Sequence, residues 1–167
     1  SAVPIRVGAQ FSSLSCNASS AVLGSAGPTT GYRDFAGAPV AGTYYATALA
    51  NALNGSDLDN TIDDITANFN KDIGTPSCLS GLGWYYGLDG KNPAGTLDFV
   101  TVLIHEMGHG LGFLTFVNLA SGAKPNGFND AYMRYLENHG ATPSDYPSMS
   151  DAQRVAAALA NGPVPGG

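Results

Sequence analysis

Charge is the scarcest property of this 167-residue chain: Asp, Glu, Lys and Arg together make up 12% of it, about half the share of an ordinary soluble domain. Only 7 residues are Lys or Arg, they form no run, and the net charge is −6 with a pI near 4.6. This balance argues against nucleic acid and anionic membrane as partners, because both attract dense positive charge. Long apolar runs are missing as well. Phe99 to Ile104 is interrupted by Thr101 and Val155 to Ala160 is only six residues long, both far short of the roughly 20 residues that cross a bilayer. Glutamate is nearly absent, occurring only at Glu106 and Glu137 among 13 acidic residues, and histidine occurs 3 times.

The 2 cysteines, Cys16 and Cys78, lack CxxC spacing. In a Ser/Thr/Gly/Asn-rich, lysine-poor chain they suit a disulfide formed outside the reducing cytosol. The opening Ser1-Ala2-Val3-Pro4 has neither the basic nor the apolar part of a signal peptide, and reads as a processed or truncated start. The expectation is a secreted, extracellular, monomeric protein. Its length suits one domain rather than two.

What is present is patterned. Val3, Ile5, Val7, Ala9 and Phe11 alternate with smaller or polar residues, as do Ile65, Ala67 and Phe69 within Asp64 to Asn70. Both segments predict half-wet strands, and Trp84-Tyr85-Tyr86 a buried one. Gly27 to Gly31 predicts a turn. Helices are predicted over Tyr44 to Leu53, Thr96 to Leu111, Gly127 to Asn138 and Ser150 to Asn161. The second is apolar nearly all round, which predicts a central, buried helix, started by Thr96 or Asp98 and stopped by Gly110 and Gly112. Residues 162–167 read as a linker-like tail after a domain over 1–161. Strands early and helices late indicate α+β.

The predicted central helix carries His105-Glu106-Met107-Gly108-His109. Residues four apart share one helix face, so two imidazoles can converge on one ion at about 2.0–2.1 Å each. Glu106 lies about 100° round the helix, placed to reach a water on that ion. A shuffle of this composition yields HExxH with a probability of roughly 4 in 10,000. An unpartnered carboxylate inside an apolar helix is costly, which points the same way.

Val102 to Phe113 (VLIHEMGHGLGF) resembles the active-site helix of zincin metallopeptidases, and HEMGHGLGF is especially similar to leishmanolysin-like and other metzincin helices, in which HExxHxxG ends at a glycine turn. The stretch Thr61 to Phe116 is similar to the catalytic part of secreted bacterial zinc peptidases that also carry a protease-associated domain. The resemblance implies a zincin-like fold: a small mixed sheet, a central active-site helix, C-terminal helices and a domain longer than this chain. A metzincin would place a third histidine where this chain has Thr115. Asp130 is the first candidate for the third zinc ligand, in a setting similar to the Asn-Glu-Ala of thermolysin-like enzymes, although the dipole of the helix predicted there also favours an aspartate. His139 and Glu137 are the second and third candidates. Met149 sits where a metzincin carries the methionine beneath its zinc, or is a core contact ahead of a helix.

The expected activity is therefore zinc-dependent endopeptidase hydrolysis of peptides or proteins, with His105, His109 and Asp130 as ligands and Glu106 as general base. The strand Asp64 to Asn70 is the expected edge for substrate, and Tyr132, Tyr135 or Tyr146 the oxyanion donor. Asp57, Asp59, Asp63 and Asp64 are candidate calcium ligands without EF-hand order. The alternative is a catalytically silent secreted binding module or processed fragment with a structural metal.

Overall fold

The computed structural model describes residues 2–159. The alternating segment around Phe69 forms β5 (Ile65–Asn70), with Ile65, Ala67 and Phe69 at most 2% exposed. It lies in the middle of a three-stranded sheet, paired parallel with β1 (Val7–Ser12) and antiparallel with β2 (Gly24–Pro28). Its alternation sets the register, since a slip by one residue would turn all three apolar side chains to the other face. The expectation that this strand offers an edge to substrate is corrected: both of its edges are already paired. Asn70, expected on the wet face, is fully buried. Its Nδ2 donates to the Val22 carbonyl at 2.9 Å, and its own carbonyl accepts from Trp84 Nε1 at 2.9 Å.

Further along, β6 (Gly83–Tyr85) and β7 (Thr96–Asp98) pair in parallel, and α2 (Phe99–Gly110) follows β7 without a loop. Of the two predicted caps, Thr96 and Asp98, the helix uses Asp98, whose carboxylate accepts from the Thr101 amide at 3.2 Å and its hydroxyl at 2.5 Å. Phe99 anchors the start of α2, its ring 4.8 Å from Phe69, 5.3 Å from Tyr86, 5.5 Å from Trp84 and 5.7 Å from Phe11. The helix is not buried all round. Only Glu106 and Gly110 are buried in it, and Ile104 is 67% exposed. The sheet covers one face of α2 through β2 and β5, and among the described residues no second layer covers the other.

A second small sheet is built from β3 (Gly31–Tyr32), β4 (Thr43–Ala46) and β8 (Asn129–Asp130). The helix predicted from Tyr44 starts only at Thr47, as α1 (Thr47–Asn54), because the four residues before it pair with these neighbours. The helix predicted over Gly127 to Asn138 does not form. Asn126 and Gly127 take left-handed φ values of 48° and 78°, Asn129 and Asp130 join β4, and a single 3-10 turn follows over Met133–Tyr135.

The last element is α3 (Asp151–Leu159), entered through a capping box: the Ser150 amide donates to Gln153 Oε1 at 2.8 Å and the Gln153 amide to Ser150 Oγ at 3.3 Å. Buried Arg154 holds α3 down by donating to the carbonyls of Gly122 at 2.7 Å, of Tyr146 and of Met149. Met149 packs in a core cluster with Val117, Met133 and Tyr146. The predicted tail over 162–167 and the predicted helix end at Asn161 lie outside the described residues. Cys16 and Cys78 are joined in a disulfide with their Cα atoms 5.3 Å apart, so the sequence expectation holds. The chain is thus an α+β domain with small mixed sheets. No helix among the described residues is long and apolar enough to cross a membrane.

Candidate functional site

The end of α2 and the orientation of His109 are one piece of structure. Gly112 takes φ 109°, the Phe113 amide donates to the Gly108 carbonyl at 3.1 Å, and the Gly112 amide to the His109 carbonyl at 3.0 Å. This left-handed stop brings the Phe113 carbonyl back to His109 Nδ1 at 3.0 Å. A carbonyl only accepts, so Nδ1 carries the proton and, in the neutral ring, Nε2 carries the lone pair. That lone pair faces His105 Nε2 at 3.1 Å, with the two rings edge to face. With His109 Nε2 as acceptor, His105 Nε2–H is the donor across this gap. Two nitrogens bound to one ion at about 2.0–2.1 Å with a tetrahedral angle lie about 3.3–3.4 Å apart. The pair therefore fits two corners of a tetrahedral shell after a shift of a few tenths of an ångström, and the Phe113 carbonyl supplies the orienting outer contact that metal-binding imidazoles commonly have.

Glu106 lies between α2 and β2, against Gly24. It is 7% exposed, and its carboxylate makes no hydrogen bond within the described residues. The close approach depends on Gly24, because a Cβ at that position would lie 2.9 Å from Glu106 Cγ and 3.0 Å from Oε1. Glycine is needed here for space. The sequence carries no signal for this contact, which joins positions far apart in the chain.

Asp130 is not brought to the histidines. It is 1% exposed, and both of its oxygens are taken: Oδ2 accepts from Thr115 Oγ1 at 2.7 Å and the Phe116 amide at 2.9 Å, and Oδ1 from the Met133 amide at 2.8 Å. It ties β8 to the chain that follows α2, and this is why no helix runs through it. His139 and Glu137 form an exposed pair at 3.4 Å. Of the three tyrosines, Tyr146 is buried with its hydroxyl donating to the Arg154 carbonyl at 3.2 Å, Tyr135 is 85% exposed, and Tyr132 stacks edge-on with Phe113 at 6.2 Å. The aspartates named as calcium ligands are engaged locally. Asp57 accepts from Asn51 at 3.2 Å, Asp59 from the Thr61 amide at 3.0 Å and Asp64 from Asn51 at 2.6 Å, while Asp63 pairs with Arg6 at 3.6 Å.

Comparison of the chain with protein-family models, with curated proteins and with solved structures returns no match. Among the described residues no group of three or more His, Cys, Asp or Glu is placed to hold a metal ion. The resemblance to zincin metallopeptidases is therefore corrected. It rests on one helix, and neither a matching family nor a complete ligand set accompanies that helix.

Proposed function

We propose that the chain is a secreted, metal-dependent hydrolase of peptide bonds, working as a monomer, with His105 and His109 sharing one zinc ion and Glu106 moving the proton. The observation that supports this reading best is the Glu106 side chain, 7% exposed and without a hydrogen-bond partner among the described residues, next in sequence to His105, whose Nε2 faces that of His109 at 3.1 Å. A carboxylate not tied up by hydrogen bonds and adjacent to a metal-binding type of imidazole pair is free to act as a general base.

His105 and His109 would hold the zinc, which would supply Lewis acidity toward a carbonyl or a water. The chain's own part is positional. His109 is held in one tautomer by the Phe113 carbonyl, and Gly24 leaves the space in which Glu106 accepts a proton and returns it to the leaving amine. A peptide is supported as substrate by β2, which begins at the Glu106 contact and is paired on one side only, so an extended chain can add to its other edge. The disulfide and the scarcity of lysine support an extracellular setting.

The absence of a third imidazole or carboxylate beside the pair, among the described residues, favours a second reading: a catalytically silent secreted module that uses its metal structurally. Zinc titration and casein digestion, each with and without chelator, separate the two. The first reading expects one bound zinc and chelator-sensitive digestion. In E106Q zinc should be retained while turnover falls at least about 100-fold. Zinc uptake without digestion supports the silent module, and undiminished turnover in E106Q would overturn the role of Glu106.

A further inference from the structure

A cavity of about 400 Å³ opens between the β2–β3 connection and the turn at Asn126, and none of His105, Glu106 and His109 lines it. Its volume falls within the range of about 300–1,000 Å³ usual for small-molecule sites. Two half-buried aromatic rings, Tyr44 and Phe116, and the ring of Pro125 provide apolar walls, and Thr29, Thr30 and Asn126 provide uncharged polar groups. Nothing charged lines it, in keeping with the rest of the sequence.

The polar groups are only partly used. Asn126 Nδ2 donates to the Tyr44 hydroxyl at 2.9 Å. That amide, and after it Arg33, hold the Tyr44 phenol below its ordinary value of 10.0. With its oxygen accepting from N–H groups, the Tyr44 O–H proton is left to donate to a ligand. Asn126 Oδ1 and the Thr30 hydroxyl have no partner among the described residues. Thr29 shares its hydroxyl with Thr66 at 3.0 Å. Arg33, which does not line the cavity, also lies 5.8 Å from the Tyr44 ring and 4.0 Å from the Phe128 ring, and its charge is balanced by Asp34 beside it.

We propose that this cavity binds a neutral saccharide, its C–H face against Tyr44 and Phe116 and its hydroxyls on Thr30, Asn126 and the Tyr44 hydroxyl. The combination selects by exclusion. An ionised ligand would be desolvated without a counter-charge, and a purely apolar one would strand the amide and hydroxyls without partners. A sugar ring presents both surfaces at once. Glycine at position 31 belongs to the same arrangement, since a Cβ there would lie 2.9 Å from the Phe116 ring and push it from its place.

The test is an amide-shift NMR titration of the intact protein with maltose, cellobiose, lactose and di-N-acetylchitobiose, with glucuronate and glucosamine as charged comparators. A soluble neutral glucan distinguishes a polymer-borne sugar from a free one. Saturable shifts are expected at Thr30, Gly31 and Asn126 with at least one neutral sugar, whether free or polymeric. N126G preserves the left-handed turn while removing the amide, and Y44F removes the hydroxyl. Each should weaken binding at least about fivefold, the equivalent of one hydrogen bond, with melting curves reporting that both variants fold. The proposal is overturned if no neutral sugar shifts these amides up to about 10 mM, ten times a 1 mM dissociation constant. It is equally overturned if only charged sugars bind, or if N126G binds as the parent does.

Discussion

Two glycines in the same helix are expected to respond to one added methyl group in opposite directions. Gly110 faces β5. A Cβ built on it would lie 2.8 Å from Ile65 Cδ1 and 2.9 Å from Cγ1, closer still to Cγ2, and Ile65 is 1% exposed. Gly108, two residues earlier, has nothing within 4 Å of the corresponding position. Alanine in place of a helical glycine is worth up to about 1 kcal/mol, less at Gly110, the last residue of α2, than at Gly108. At position 108 that gain stands alone, so G108A should be about 0.5–1 kcal/mol more stable than the parent. At position 110 the methyl must displace a side chain packed beneath the helix, an overpacking that costs about 1–3 kcal/mol. The clash is at the severe end, so the net effect is a loss of about 1–2 kcal/mol. The two variants should differ by about 2–3 kcal/mol in urea unfolding, or roughly 5–10 °C in Tm for a domain of this size. Truncation of the opposing side chain supplies the internal check: in I65A the clash is gone, so adding G110A should cause little further loss, and the coupling energy should be of the order of 1–3 kcal/mol. A G110A protein as stable as the parent, or additivity with I65A, would refute the claim that this glycine sets the seat of α2 on the sheet. Because Glu106 lies one turn earlier on the same helix, G110A should also lower any zinc-dependent turnover without removing a site residue.

The disulfide joins residues 62 apart in sequence, so replacing both cysteines by serine should cost about 4 kcal/mol on the chain-entropy account, checked by comparing urea midpoints of the oxidised parent and the double variant. Arg154→Ala leaves the carbonyls of Gly122, Tyr146 and Met149 without their buried donor, and a loss of about 3 kcal/mol is expected in the same assay. Acid should weaken the fold through Asp34, Asp59, Asp89 and Asp145, each held below 3.8 mainly by a hydrogen bond, from Gly42, Thr61, Tyr85 and Ser148 respectively. Depressed carboxyl values mean that the unfolded chain binds protons first, so their stabilisation is complete only above about pH 5 and is lost as pH falls through the ordinary and then the folded values. Melting curves between pH 2 and 6 should show the decline beginning below about pH 5, and a Tm that stays level down to pH 2 would contradict it.

The parts of this fold legible in the sequence are those decided by neighbours along the chain. The alternation of Ile65, Ala67 and Phe69 marks β5, Asp98 marks the start of α2, and the spacing of His105 and His109 puts their rings on one face. The parts that escaped are decided by distant partners. Nothing within Gly127 to Asn138 says that the Asp130 carboxylate will be claimed by Thr115 and Phe116, 15 and 14 residues away, although Asn126-Gly127 is itself a turn signal. Nothing in the apolar content of α2 says that a sheet will cover only one of its faces. The site divides in the same way. The two imidazoles and Glu106 were readable from spacing, whereas the need for glycine at position 24 arises only when β2 is laid against the helix.

The turn that ends α2 links two properties usually thought of separately, tolerance to length change and ring orientation. The amide of Phe113 closes the helix on Gly108, while the carbonyl of the same residue fixes the His109 ring. One inserted or deleted residue between His109 and Phe113 would therefore undo both at once. Fraying of this turn, followed by hydrogen exchange at the Phe113 amide, should run in step with the freedom of the His109 imidazole to flip. The segment from Gly108 to Phe113 thus behaves as a single heritable unit, open to substitution at Leu111, which is 41% exposed, but closed to any change in its count of residues.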